Sequence, residues 1–452
     1  NAVDQITPYV LQEQGDWFED EITFVRGALR PGQNVIDIGA NYGTYALSMA
    51  RVVGPDGHVW AFEPAPDTAR RLAESIAANG FRQITLERTA LSNVRGAGRL
   101  SRNRQPELNA LVPAGGPTDA VQVATLDDCL DKYDWHEVAF VKMDAEGEEG
   151  NILRGGARFF AERSPLVQYE VKAGPVLRLD LVRQFAALGY APYRLVPGLG
   201  VLAPFDPAAP VDGYLLNLFG CKPNTAARLA ARGLLVAPEV DTGPSRASLG
   251  HTAPEPVPQY RWRDALVGRP YATAHADRWE QGGGPAREVA DALALYAASR
   301  DAARTARERL LALGACYERF RARCGSEPAP LRLASLARVA REFGARSVAV
   351  DALRRLDHLT ASADRIEPSE PFLAPCARFD TIAPGAHFGN WLRAAALEEL
   401  ERLEAFSSFY SGAHTQRRVE TARDLGFGCA EMDRRLRLLQ AVRSTRPTAP
   451  GE

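Results

Sequence analysis

At 452 residues the chain exceeds the size at which a single hydrophobic core keeps growing, so two domains are the default. A net charge of −2 argues against a general nucleic-acid binder, and no apolar run nears the roughly 20 residues that span a bilayer. Six scattered cysteines without a C-x-x-C pair indicate neither a zinc site nor a disulfide framework; no secretory leader is read at Asn1, and the cytoplasm is the expected compartment.

In chain order, Trp17-Phe18-Glu19-Asp20-Glu21 leads into an apolar helix that ends at Arg30-Pro31-Gly32. This lead-in fits a lid over a cofactor, with Glu21 near its ammonium, although an acid-rich first helical turn explains the same residues without a ligand. Next, Asn34 to Ile38 reads as an apolar strand running into the turn Gly39-Ala40-Asn41-Tyr42-Gly43, which opens a helix from Thr44 to Val53. A pyrophosphate turn carries three glycines, G-x-G-x-x-G, whereas this one keeps only Gly39 and Gly43 and sets Asp37 two residues before the first. A carboxylate there repels a pyrophosphate and suits a cation. S-adenosylmethionine offers a sulfonium and an α-ammonium with no phosphate. The next strand, His58 to Phe62, ends in Glu63-Pro64, which places a carboxylate where ribose hydroxyls are accepted.

The pattern then predicts a helix from Pro66 to Asn79, a strand from Gln83 to Thr89, a loop or short hairpin from Gly96 to Pro117 and a short strand from Val121 to Ala124. Further elements are a helix from Asp127 to Tyr133, a buried strand from Val138 to Met143, and a helix from Glu148 to Arg163 interrupted at Gly155-Gly156. Leu166 to Val171, Tyr190 to Val196 and Gly213 to Cys221 read as strands, and Val176 to Leu188 as a helix. Without the short Val121–Ala124 strand, seven strands with intervening helices make a Rossmann-like, doubly wound α/β sheet.

Methyl transfer to an alcohol needs a base, and Asp144 at a strand end is the first choice, with Glu146 or Glu170 as partners. Asp144 and Glu146 would equally cap the helix beginning near Gly147. No metal is expected, because Lys142 and Lys172 stand beside the acids; these lysines would bind an anionic acceptor or pair with the acids. His136, a lone histidine, reads as structural or solvated.

Asp37-Ile-Gly-Ala-Asn-Tyr-Gly, Phe62-Glu63-Pro64, Thr89-Ala90-Leu91-Ser92, Thr125-Leu126-Asp127, Val141-Lys142-Met143-Asp144-Ala145-Glu146-Gly147 and Pro165 to Glu170 together resemble the FkbM family of S-adenosylmethionine-dependent methyltransferases. The resemblance runs from about Trp17 to about Phe219, and Ala145 stands where the family more often has valine. It implies a seven-stranded class I methyltransferase sheet whose last strand is antiparallel. It also implies O-methyl transfer to a hydroxyl of a sugar, glycan or secondary-metabolite acceptor. On this reading Asp37, Gly39, Asn41, Gly43 and Thr44 shape the cofactor turn, Glu63 and Pro64 serve the ribose, Ala90 and Leu91 border the adenine, and Asp144 adjoins both cofactor and acceptor.

A proline-, serine- and glycine-rich stretch, 237–258, reads as a linker separating residues 1–236 from an all-α accessory domain, 259–452. Helices are expected over 286–303, 307–323, 331–343, 347–356, 391–406 and 432–442. One pair, carrying Leu336, Ala337, Ala340, Gly344, Ala349 and Leu353, resembles a tetratricopeptide-type unit. The helical half would recruit an acceptor carrier, contact a protein partner or a second copy, or simply cover the sheet. Trp391 and Phe406-Ser407-Ser408-Phe409-Tyr410 read as core aromatics or as a sugar-stacking group. Two competing functions are a nicotinamide-dependent oxidoreductase and an inactive methyltransferase fold that acts as a scaffold.

Overall fold

A computed structural model describes residues 4–113, 116–173, 176–237, 259–281, 283–362, 365–411 and 413–445. The linker expected at 237–258 falls, except for its first residue, outside the described residues. Thirteen strands are assigned among them: β1 (Asn34–Ile38), β2 (His58–Phe62), β3 (Ile84–Glu87), β4 (Thr89–Leu91), β5 (Gly96–Ser101), β6 (Thr118–Ala124), β7 (Phe140–Met143), β8 (Leu166–Glu170), β9 (Lys172–Ala173), β10 (Val176–Leu177), β11 (Ala191–Val196), β12 (Val201–Pro204) and β13 (Asn217–Cys221).

The main sheet runs β12-β11-β13-β8-β7-β1-β2-β3. From β3 to β8 its strands are parallel, while β13 is antiparallel to both β8 and β11. Order and direction are those of the class I methyltransferase sheet, extended by an eighth strand. That strand, β12, was not expected from sequence. It has four residues and no alternation, and it forms because it pairs with β11 while Val201 and Ala203 enter the core of the helical half. The sheet edge, a liability if left open, is thereby covered.

Between β3 and β7 the chain builds a small sheet, β4-β6-β5, where a loop or hairpin was expected. Val176 to Leu188 starts as the β9–β10 hairpin and becomes helical only at Asp180–Ala187. Helix Thr44–Val53 starts at Gly43 and stops at Gly54, both with positive φ, and helix Pro66–Asn79 has proline in its first turn and a left-handed Gly80 at its end. Separate apolar clusters cover the two sheet faces, one against Asp20–Ala28 and Thr44–Val53, the other against helices between Leu126 and Ala187.

The longer helices of the helical half are Arg287–Arg300, Ala306–Ser326, Pro330–Phe343, Arg346–Ser362, Phe388–Leu403, Ala413–Asp424 and Ala430–Thr445. Helices 330–343 and 346–362 pack together, but no unit of the same spacing follows among the described residues; the next long helix begins at Phe388. Helices 287–300 and 306–326 precede this pair and pack on each other, the second of them also against 330–343, and a tetratricopeptide-type repeat is not shown. Gly198 donates its N–H to Glu342 O, and Arg194 reaches Phe343 O, so this half is bonded to the β11–β12 turn. A second junction lies at the N-terminal helix Ile6–Gln14, where Tyr9 Oη meets Ser408 Oγ at 2.8 Å. No helix among the described residues is long and apolar enough to cross a membrane.

Candidate functional site

A cavity of about 670 Å³ opens over the ends of β1, β2, β7 and β8. Its floor depends on one glycine. Gly39 has φ +75°, and a Cβ there would lie 1.8 Å from the carbonyl oxygen of Asp144. The β1 and β7 turns meet at this contact, and Asp144 N–H donates to Ile38 O at 3.1 Å. Asn41, also left-handed at φ 50°, donates its N–H to Glu63 Oε2, and Ala65 N–H donates to Glu63 Oε1, both at 2.8 Å. Glu63 is thus held rigidly at the tip of β2 with lone pairs to spare on each oxygen, and burial lifts its carboxyl to about 7.

Of the residues expected at the cofactor, Gly39, Asn41, Thr44, Glu63, Pro64, Ala90, Leu91 and Asp144 line this cavity. Three do not. Gly43 lies behind the surface against Leu72, where its missing side chain lets the helix approach. Asp37 is fully buried, and neither oxygen has a hydrogen-bond partner of normal geometry. Burial raises it to about 6, against the pull of Lys142, so its charge acts on the site through space rather than by contact. Glu21 also misses the cavity: it sits in the first turn of helix Asp20–Ala28, while Glu19, at the cap position before that turn, lines it.

Beneath the floor a polar row crosses the sheet, because Asp37 is in register with Lys142 and Lys142 with Gln168. Gln168 Nε2 donates to Tyr45 Oη at 2.9 Å, and Tyr45 donates to Glu19 Oε2 at 2.7 Å. Lys142 lies 5.0 Å from the centre of the Tyr45 ring and gives Asp144 Oδ2 a 2.9 Å ion pair. Burial opposes its charge, yet Asp144, Asp37 and Glu19 together raise its pKa above that of a free lysine. Pairing rather than anion binding is therefore what Lys142 does, and Lys172 spends its ammonium on Gly213 O.

The turn after β7 answers whether Asp144 and Glu146 cap a helix. They do not. Glu149 Oε1 accepts from the N–H groups of Ala145 and Gly147, Arg178 holds its other oxygen, and helix Glu149–Gly155 has no side-chain cap bond. Glu146, pushed into φ 48° by this clamp, faces the cavity. One carboxylate oxygen from each of Asp144, Glu146 and Glu170 falls within 4.8 Å of the others. Burial, then the charge of Asp144, raises Glu146 to about 7; burial, then Asp144 and Glu146, raises Glu170 to about 10. His136 is exposed beside Asp134 and takes no part.

The profile of a family described as "Methyltransferase FkbM domain" matches residues 37–191, the stretch that carries this floor and these carboxylates. Residues 37–191 form an FkbM methyltransferase domain. A protein-L-isoaspartate O-methyltransferase from Ignicoccus hospitalis is 40% identical over 58 residues, 13% of this chain and 28% of that protein. One from Methanothrix thermoacetophila is 31% identical over 58 residues, again 13% and 28%. The chain thus spans just over a quarter of the length of these curated relatives. Among solved structures, an FkbM methyltransferase from Methylobacillus flagellatus is 20% identical with a TM-score of 0.32, covering 45% of this chain and 48% of that one. An S-adenosylmethionine-dependent O-methyltransferase from Thermotoga maritima is 15% identical with a TM-score of 0.26, covering 45% and 64%.

The groups in the FkbM domain's cavity fit S-adenosylmethionine: a glycine cradle that a Cβ would fill, a carboxylate with free lone pairs, and an acidic field without a phosphate-binding glycine. The sequence reading missed Tyr45, Glu107 and Asn217, which also line it; Glu19 from the lead-in and Phe406 and Tyr410 from the aromatic group lie there too.

Proposed function

We propose that the chain is an S-adenosylmethionine-dependent O-methyltransferase acting on a hydroxyl of a sugar, glycan or secondary-metabolite acceptor. The observation that carries this reading is one cavity uniting the Gly39 turn, the braced Glu63 carboxylate and the carboxyl group of Glu146, which has no hydrogen-bond or ion-pair partner among the described residues. The O-methyltransferase names of the curated relatives support oxygen as the atom methylated.

S-adenosylmethionine, when bound, supplies an electrophilic methyl group on a sulfonium. Glu63 accepts the ribose hydroxyls, Ala90 and Leu91 flank the adenine, and Gly39 to Thr44 let the ligand approach the backbone. An alcohol does not ionise at neutral pH, so a side chain takes its proton as the methyl moves. Asp144 already gives an oxygen to Lys142. Glu146, poised at about 7, is the better base, and protonated Glu170 beside it donates a hydrogen bond that holds the acceptor oxygen in place. This moves the base from Asp144, favoured by sequence, to its neighbour two residues on.

Calorimetric titration with S-adenosylmethionine and, separately, with NAD tests the reading. Binding of S-adenosylmethionine alone is expected, weakened by about 2 kcal/mol, roughly 30-fold, in Glu63→Ala. Binding of NAD, or equal affinity in the variant, would sink it.

A further inference from the structure

Four non-glycine residues among those described have positive φ, and three of them line the same cavity: Asn41, Glu146 and Phe406. Such conformations cost on the order of 1–3 kcal/mol each and persist where the surroundings over-determine them, commonly at functional sites. Asn41 and Glu146 belong to the methyltransferase domain. Phe406, at φ 59°, comes from the helical half, more than 200 residues beyond the domain's last matched residue.

The segment around Phe406 is pinned from two sides. Arg346 donates to the carbonyls of Leu403 and Arg402 and sets its guanidinium 3.7 Å from the centre of the Phe406 ring. On the other side Glu13, fully buried, accepts from Ser408 N–H at 3.0 Å, and Gln14 Nε2 donates to Phe406 O at 2.6 Å. Phe406 packs 4.9 Å from Phe18, and Tyr410 lines the same cavity while 56% exposed. Apart from an edge-to-face contact with Phe409, at 5.4 Å between ring centres, the Tyr410 ring is left open. Trp391, by contrast, is wholly buried in the helical core.

Glu107, Glu146 and Glu170 line the same cavity as these rings. One Glu107 oxygen is buried without a partner, and its charge is felt at both Glu146 and Tyr410. Hydroxyl groups satisfy carboxyl groups in either protonation state, whereas an added anion would be repelled or would force further proton uptake.

Resting on the methyl-transfer reading, we infer that Phe406 and Tyr410 form the acceptor-binding wall, so that the helical half completes the site, and that the acceptor presents a ring face and hydroxyls but no negative charge. Rings stack on such aromatic faces, and the opposing acids take the hydroxyls. The acceptor site is then assembled from both halves of the chain, while the cofactor site is built within residues 37–191.

The test uses the full chain saturated with S-adenosylhomocysteine and two probes, methyl β-D-glucopyranoside and the corresponding glucuronide, titrated by saturation-transfer NMR. The glucoside is expected to bind about tenfold more tightly than the glucuronide. Tyr410→Ala and Phe406→Gly, the latter compatible with the left-handed backbone, should each weaken it about fivefold, and Tyr410→Phe should restore it. S-adenosylhomocysteine should bind all three variants as it binds the wild type. Unchanged glucoside affinity in both ring-deleting variants, equal binding of the glucuronide, or no binding of either sugar overturns the inference while leaving the methyltransferase reading standing. Failure of S-adenosylhomocysteine to bind the wild type removes that reading, and the inference with it.

Discussion

In the helical half Arg338, Arg378 and Arg402 each reach carboxylates across helices or turns, with Glu342 and Asp380, Glu398, and Glu431 as partners at 2.6–3.0 Å. At the top of the sheet Glu146 and Glu170 have no such partner among the described residues, and burial raises their pKa values. The four lysines, Lys132, Lys142, Lys172 and Lys222, all lie in the first half, so the helical half draws its positive charge from arginine alone. A planar guanidinium fork satisfies two acceptors at once and keeps its charge when buried, which suits a load carried for stability. Buried acids left without such a fork weaken the fold and keep chemical reactivity. The contrast separates groups that hold the molecule together from groups kept available to a substrate.

The largest effect should come from breaking the paired side. Arg338→Met removes the buried guanidinium that Glu342 and Asp380 share and leaves them to Arg300 and Arg269, at a cost of about 3–4 kcal/mol. Chemical denaturation measures it, and a loss below about 1 kcal/mol would show that these ion pairs carry little of the stability. Next is Gly39→Ala, whose methyl group meets the Asp144 carbonyl; about 3 kcal/mol of stability and all detectable S-adenosylhomocysteine binding should go together in thermal melts and calorimetry.

Glu146→Gln should leave the fold intact and slow methyl transfer about 100-fold, removing an activity limb that rises through pH 7. A retained limb would return the base to Asp144. The smallest effect has the opposite sign for stability. Glu170 has its pKa raised from 4.5 to about 10, so the native state holds a proton that the unfolded chain releases. Its contribution is fully present below pH 4.5 and is lost as pH rises towards 10. Glu170→Gln should therefore stabilise the ligand-free chain by on the order of 1 kcal/mol at pH 8 and by almost nothing at pH 4. A gain independent of pH would indicate a packing effect instead.

Much of the cofactor side was legible in sequence because its signals are local. The Gly39–Gly43 turn, the Glu63 tip and the Asp144–Gly147 turn each depend on a few consecutive residues whose backbone preferences allow little else. Helices Thr44–Val53 and Pro66–Asn79 appear at their expected limits because glycine or proline punctuates both ends. Glu21 was misplaced for a similarly local reason. Two acids one helical step apart look alike in a sequence, yet only the one before the first turn faces the cavity.

The strand–turn–helix unit from Asn34 to Val53, the carboxylate tips and a helical second half were determined by the sequence itself, through periodicity, turn chemistry and spacing. Tertiary structure alone decided that β12 forms, that Asp37 is sealed beneath the floor, and that Lys142 belongs to Asp144. It alone brought Phe406 and Tyr410 over a cavity whose floor begins at Gly39. No local preference encodes a contact between residues hundreds of positions apart. Such a contact exists only once both halves have folded and buried charges such as Glu13 have found their partners across the junction.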